Sequence, residues 1–574
     1  MGAAQKYILF LGLWFYPLSA QAQSASNVYQ DFPTYFRSPL NIPISLSGNY
    51  GEFRSNHFHT GYDMRIGGVV GERLFAVADG FVVRISVSPS GYGNALYIEH
   101  PNGITSVYGH MLDFAPAIQS YVTEKQYERQ SFAVDIPCAP ELFPVKQGDF
   151  IGRAGNSGAS SGPHLHFELR NTQTQCPLNY SAFGLFPVTD RIPPTLTRLQ
   201  FYGYSLQSGV PRTKLLRAVD LRASSALIPV SDTFYVAMGA YDRKEGSNSF
   251  LSLSKYEVYI NEEKVYTYKK QGVAAGQGRY LHAFLQYDLR VRHNQSLLKT
   301  WVEPGNILQH KVESSSKGLF VLPDTLEHQL KIVLTDDYGN TSTYRYRIAK
   351  RAAAQVAPQP LKGRPLIWAL DHYYESDSLD IYLPMGALCK NTDFYVAQTK
   401  PPQALASRFY APLWSVGNPE DPLFRPMRLR LRTWLPDSLR EKAVVVSVSS
   451  SGRYTSIGGQ WNGDMLEART YNFGRYTVAV DTVPPVISAG FKDGADLRGT
   501  TRIRFTIRDE LSGIKSYQGY INGQWALFVY DAKNSALSYT FDRRRIGSGK
   551  RHELELRVTD NCNNVNIYKT SFTW

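Results

Sequence analysis

At 574 residues the chain is too long for one hydrophobic core, so roughly three to five separately packed units are expected. Its 43% apolar and 19% charged content excludes a disordered chain, while 38 Tyr and 29 Phe, with abundant Gly and Pro, favour pleated surfaces joined by tight turns. The formal charge of +13 comes from scattered Lys and Arg with no basic run between aromatics, which argues against nucleic acid but leaves an anionic cell-envelope polymer as a partner.

Lys6 precedes an apolar run, Tyr7 to Tyr16, and the run leads into Ala20-Gln21-Ala22. A cationic start, a short apolar stretch and an Ala-x-Ala step predict a secretory signal peptide over 1–22, followed by an N-terminal extension over 23–44. No Cys lies near that cut, so no lipid anchor is expected. No later stretch is long and apolar enough to cross a membrane. The mature chain is expected to be exported, to the periplasm or the cell surface, without a transmembrane segment.

Residues 45–187 are rich in Gly and hold six of the twelve His. In Gly162-Pro-His-Leu-His-Phe-Glu-Leu-Arg170, Leu165, Phe167 and Leu169 alternate with His164, His166, Glu168 and Arg170, the pattern of a strand. Two imidazoles two residues apart on one strand face project into the same space. One of them can bind a metal while the other acts on water. His59 and Asp63, in Phe53-Arg-Ser-Asn-His-Phe-His-Thr-Gly-Tyr-Asp63, can supply two further ligands across a Gly-containing turn. Two neutral imidazoles and one carboxylate leave a zinc ion positive, with an open fourth position.

Together these segments resemble the lysostaphin- and LytM-like zinc metallopeptidases (peptidase family M23), whose motifs are His-x-x-x-Asp and His-x-His. The resemblance extends through Ala76-Val-Ala-Asp-Gly-Phe-Val-Val83, Gly91-Tyr-Gly-Asn-Ala-Leu-Tyr-Ile-Glu-His100, Asn102 to His110, Lys146 to Gly152 and Gly155-Asn-Ser-Gly158. It implies an antiparallel β-sheet with a groove along one face and one zinc per chain on His59, Asp63 and His166. It also implies His110 and His164 as non-ligand catalytic histidines, one serving as base and the other stabilising the oxyanion, in either order. Tyr92 and Asn94 are candidates for substrate binding, His57 for a loop or rim position or else a further ligand role, and His100 for a structural role.

The chain departs from the resemblance in two places. Residues from about 113 to 145 form an insertion that is expected to be a helix or a lid, with Glu124 and Glu128 facing solvent. Tyr180 also follows Asn179 where a Pro is expected. Cys138 and Cys176, both in this exported unit, are candidates for a disulfide.

Downstream, Asp190-Arg-Ile-Pro-Pro194 recurs as Asp481-Thr-Val-Pro-Pro485. Tyr256 to Asn261 recurs as Tyr517 to Asn522, and His328 to Asn340 recurs as His552 to Asn564. Each copy reads as a small antiparallel sandwich and resembles the immunoglobulin-like modules appended to bacterial surface enzymes. The Asp, Asn and His that the copies share are read as turn formers. The expected division is therefore a peptidase domain over 45–187, an immunoglobulin-like β domain over 188–350 and a linker over 351–362. A β domain over 363–480 and a second immunoglobulin-like domain over 481–574 complete the chain.

The function expected is an exported zinc endopeptidase that cuts peptide cross-links in bacterial peptidoglycan. The alternatives are a non-catalytic relative that regulates another wall hydrolase, or a surface adhesion or assembly factor.

Overall fold

The computed structural model describes residues 32–574 apart from 184–189, 223–225, 246, 271 and 275. The expected signal peptide lies outside the described residues. The fold is mainly β.

The N-terminal unit contains β1 (Leu46–Gly48), β2 (Tyr62–Arg65), β3 (Arg73–Phe75), β4 (Gly80–Val87), β5 (Asn94–Glu99) and β6 (Ile104–Gly109). It continues with β7 (Met111–Phe114), β8 (Val134–Pro137), β9 (Pro144–Val145), β10 (Phe150–Ala154) and β11 (His164–Asn171). The main sheet runs β1-β2-β11-β6-β5-β4-β8, with β9 also on β4, and a smaller sheet runs β3-β10-β7. The alternation in β11 positions the site. Leu165, Phe167 and Leu169 enter the core with Met64, Ile98 and Tyr108, so the pleat turns His164, His166 and Glu168 to the opposite face. Antiparallel register then sets His166 opposite Asp63 of β2 and opposite Gly109 of β6.

The insertion contains the helix Pro116–Glu128, which buries Ile118, Val122 and Gln126, and the strand β8. Gln126 donates from its side chain to Phe132 O at 2.7 Å, closing the helix end onto the returning chain. Glu124 and Glu128 are exposed, as expected. Tyr180, at the position where a Pro is expected, is buried with its ring 4.0 Å from that of Tyr62.

The disulfide considered from sequence is absent: Cys138 and Cys176 are both free thiols. Strand order explains this. Cys138 follows β8 at one sheet edge and Cys176 follows β11, four strands away. Four spacings of about 4.8 Å put them roughly 19 Å apart, far beyond the roughly 7 Å that a disulfide spans.

Among the described residues, the three largest further cores are formed largely within 196–348, 366–478 and 503–572. The two repeat copies share details as well as order. Asn261 donates to His328 Nδ1 at 2.7 Å, and Asn522 donates to His552 Nδ1 at 2.9 Å. In each copy a short strand pairs in parallel with the last long one: Ile228–Val230 with Thr341–Lys350, and Ala495–Asp496 with Val565–Thr573.

The units are not independent beads. Phe58, in the loop before β2, is buried in the second core, with its ring 6.3 Å from Phe284. From the last unit, Lys533 Nζ donates to the carbonyls of Asn156 and Gly158, and Trp525 packs on Tyr127 with ring centroids 5.0 Å apart.

Candidate metal centre

His59 is fixed by its backbone, which donates to Glu52 O at 2.8 Å and accepts from Gly51 N at 2.8 Å. Its Nδ1 lies 2.9 Å from Asn49 O. A carbonyl only accepts, so Nδ1 carries the proton and Nε2 presents a lone pair. His166 Nε2 lies 2.7 Å from the carboxylate of Glu168, which leaves Nδ1 as its inward nitrogen. Asp63 is held through Oδ2 by Arg54 at 2.7 Å, and its Oδ1 points inward.

The three inward atoms form a near-equilateral triangle. His59 Nε2 is 3.0 Å from His166 Nδ1, and each is 3.0 Å from Asp63 Oδ1. All three residues are buried. Two lone pairs and an anionic oxygen converging at this distance repel one another unless a cation or a proton lies between them. The electrostatics agree. Burial opposes a charge on His166, but its hydrogen bonds to Asp63 and Glu168 more than offset this and raise its pKa to about 9. Burial likewise opposes the charge on Asp63, yet the surrounding imidazoles hold its carboxyl well below the usual range.

The donor set fits zinc. A tetrahedral face around an ion with bonds of about 2.0–2.1 Å has edges of about 3.3 Å, close to the triangle observed. With two imidazoles and one carboxylate as donors, the ion would retain net charge and a position for substrate.

Two more imidazoles border the triangle. His164 donates from Nδ1 to Gly162 O at 2.8 Å and turns Nε2 to within 3.3 Å of Asp63 Oδ1. His110 sits at the bend between β6 and β7 with φ 58°, an uncommon left-handed conformation for a residue with a side chain. It is pinned by donation from its backbone N to Tyr92 O and from its Nδ1 to Ser157 O, both at 2.8 Å. Its ring lies 4.8 Å from that of His164 and 5.8 Å from that of His166. Burial, followed by the neighbouring His166 and His164, lowers its pKa to about 3, so this imidazole is neutral. The Ser157 loop reaches it because Gly93 and Gly158, both left-handed, pass in close contact. A Cβ on Gly158 would stand 2.3 Å from Gly93 N.

All five residues expected from sequence are thus gathered in one place. Tyr92 and Asn94, the candidates for substrate binding, make hydrogen bonds within the unit. The Tyr92 hydroxyl donates to Glu168 Oε1 at 2.6 Å, while Asn94 donates to Met111 O and Leu112 O at 3.1 and 3.2 Å. They brace the centre and the strand after His110. His57 is exposed and outside the cluster. His100 is buried, bonded to Asp79 O and Ser106 Oγ, both at 2.8 Å. Sequence reasoning gave no task to Glu168, Arg54 or Asn49. Glu168 alone left a signal, being on the His-x-His face.

The β-sheet and its convergent donors define a metallopeptidase-type centre, and comparison with known proteins agrees. The description of peptidase family M23 matches residues 57–127 and 143–177, the break falling within the insertion, and a Zu5-like domain matches 364–481. The DD-carboxypeptidase/endopeptidase Mpg of Neisseria meningitidis serogroup B is 32% identical over 151 residues, 26% of each chain. Lipoprotein NlpD of Yersinia enterocolitica is 31% identical over 105 residues, 18% of this chain and 84% of that protein. Among solved structures, the catalytic domain of EnpA from Enterococcus faecalis is 25% identical and covers 25% of this chain and 94% of its own, with a TM-score of 0.19. Through its N-terminal unit the chain belongs to peptidase family M23. It spans about a quarter of the length of the Mpg relatives.

Proposed function

We infer that the chain is an exported zinc endopeptidase that hydrolyses peptide cross-links of bacterial peptidoglycan. The observation that carries this reading is the buried triangle of His59, Asp63 and His166 with two further imidazoles at its border. A non-catalytic relative would have no need of all five residues in one cluster. The name of the Mpg relatives points to the same substrate class. The division into a catalytic unit and three β units is part of this reading and is supported by the four largest buried cores among the described residues, while the signal peptide rests on the sequence alone. Among the described residues no helix is long and apolar enough to cross a membrane.

Zinc held by the three residues would supply a Lewis acid for the scissile carbonyl and acidify water. The chain's own residues do the rest. Asn49 and Glu168 fix which nitrogen of each ligand imidazole faces inward. Because Gly162 O and Ser157 O accept from the Nδ1 atoms of His164 and His110, each ring keeps Nε2 as its second nitrogen. One of them takes a proton from the attacking water at Nε2 and passes it to the leaving amine, while the other, after taking up a proton from solvent at Nε2, donates to the developing oxyanion.

The test is digestion of purified sacculi, with mass spectrometry of the released muropeptides. Release of un-crosslinked peptides by the wild type, lost in Asp63→Ala, is the expected result. Intact cross-links after prolonged digestion with zinc-loaded protein would refute the reading.

A further inference from the structure

The two repeat copies share more than turns. Asp190, Asp242 and Asp336 bring carboxylate oxygens within 4.8 Å of one another, and so do Asp481, Asp509 and Asp560. The members of each set occupy matching places. The first opens the copy two residues before Ile192-Pro or Val483-Pro. The second directly follows a strand, Phe234–Tyr241 or Arg502–Arg508. The third stands at the end of the penultimate long strand, His328–Thr335 or Arg551–Asp560. Their hydrogen bonds match as well. Asp336 Oδ1 accepts from Tyr338 N and Asn340 N at 2.8 and 2.9 Å, and Asp560 Oδ1 accepts from Cys562 N and Asn564 N, both at 2.8 Å. Asn340 reaches Asp190 O at 3.2 Å, and Asn564 reaches Asp481 O at 2.8 Å.

In the first copy, turn formation accounts for those bonds but not for the oxygens left over. Asp242 is only 2% exposed, with its carboxylate facing the other two, and its Oδ1 has no hydrogen-bond partner among the described residues. Buried Oδ2 of Asp190 has none either. Among the described residues no ammonium pairs directly with the three carboxylates: Lys270 holds Asp337 at 2.7 Å, and Lys244, whose charge acts on Asp190 and Asp242 from a distance, donates to the Tyr338 hydroxyl. Converging buried carboxylates with unsatisfied oxygens require a counter-charge.

We propose that the first set binds one calcium ion and that the second, which matches it position by position, binds another. The donors are all carboxylate oxygens, with no imidazole or thiol, which selects a hard cation. Calcium accepts irregular sets of six to eight oxygens, whereas magnesium demands a strict octahedron. Both sites lie where units meet. Beside the first, Asp337 accepts from Asn49, whose carbonyl orients His59. Beside the second, Asp481 N donates to Lys442 O at 2.8 Å, and Lys442 Nζ donates to Cys562 O at 2.9 Å. Calcium therefore fixes each repeat copy against the unit before it.

The test is equilibrium dialysis of the full chain against calcium chloride, with calcium and zinc counted by mass spectrometry. Two calcium ions per wild-type chain are expected, with dissociation constants of about 10⁻⁴–10⁻³ M, the range of extracellular modules. Asp242→Asn and Asp509→Asn should each bind one, the double variant none, and zinc should be unchanged. Melting temperatures guard against a folding artefact. In calcium-free buffer Asp242→Asn should melt at or above the wild type, because it removes one of three repelling charges, and in millimolar calcium it should melt below. Wild-type calcium content in Asp242→Asn, or melting of the wild type that is indifferent to calcium, would overturn the proposal. Equal stabilisation by magnesium would overturn the choice of calcium. A wild type that binds only one ion, with none left in Asp242→Asn, would overturn the second site alone.

Discussion

Glu168 Oε1 lies 2.7 Å from His166 Nε2, two residues along the same strand face. Glu168 is fully buried, and Arg170 at 2.6 Å, Tyr92 at 2.6 Å and Thr60 at 2.6 Å hold it in turn. The carboxylate that dictates which nitrogen of His166 faces inward is therefore itself immobilised. Glu168→Gln keeps the shape but removes the charge that selects this tautomer. Zinc affinity should fall by about 10- to 100-fold, the usual effect of losing such a partner, as measured by competition with a chromophoric chelator. Wild-type affinity in this variant would show that the tautomer is set otherwise.

Removing a ligand and removing a proton carrier should separate cleanly. His59→Ala, Asp63→Ala and His166→Ala should purify without stoichiometric zinc. His110→Ala and His164→Ala should retain one zinc per chain and lose about 10²–10⁴-fold in hydrolysis. Metal content and muropeptide release, read on the same preparations, check both halves. Loss of zinc from His164→Ala with retention in His166→Ala would reverse the assignment within the pair.

Acid should destabilise the N-terminal unit through His100. Burial pushes its pKa down from the ordinary 6.5 to about 4, so between these values the unfolded chain binds more protons than the folded one. Stability then rises with pH from about 4 to about 6.5 and is fully present above that. The loss on acidification is on the order of 3 kcal/mol. His100→Gln cannot charge and should lack this part of the acid limb. Thermal melts at pH 7 and pH 4 should show the gap between variant and wild type narrowing at the lower pH, and a constant gap would contradict the account.

Phe58→Ala should act at two places at once. The side chain is buried between Phe53 and Phe284, so its loss should cost about 3–5 kcal/mol, seen in the second unit's unfolding transition. Because His59 is the next residue, zinc affinity should fall as well. A melting shift with undiminished zinc affinity would show that the loop is held by its backbone alone.

How much of the fold and site was legible in the sequence depended on how far apart the partners lie. The His-x-His strand declared itself through alternation, and its register supplied Asp63 as a direct neighbour. The repeat declared itself through Pro-Pro and Ile-Asn. Partners from remote segments left no local mark. Arg54 on Asp63, Asn49 O on His59, and Thr60 and Tyr92 on Glu168 become neighbours only once the loops are placed. Strand order misled in the same way, because Cys138 and Cys176 share a unit but sit four strands apart. Asp242 and Asp509 escaped notice because each matches the other by its place after a strand and not by any shared word of sequence.

Lys533 of the last unit grips the carbonyls of Asn156 and Gly158, on either side of the Ser157 whose own carbonyl orients His110. A row of units whose last member holds the first is a closed circuit. In an open string a lengthened linker changes only the reach of the units beyond it. Here, a change of length anywhere between Asp190 and Asp531 has to be absorbed somewhere along the circuit, whose closing contacts include Lys533 on Asn156 and Gly158 and Trp525 on Tyr127. The distant units are then part of the frame that holds the loop beside His110.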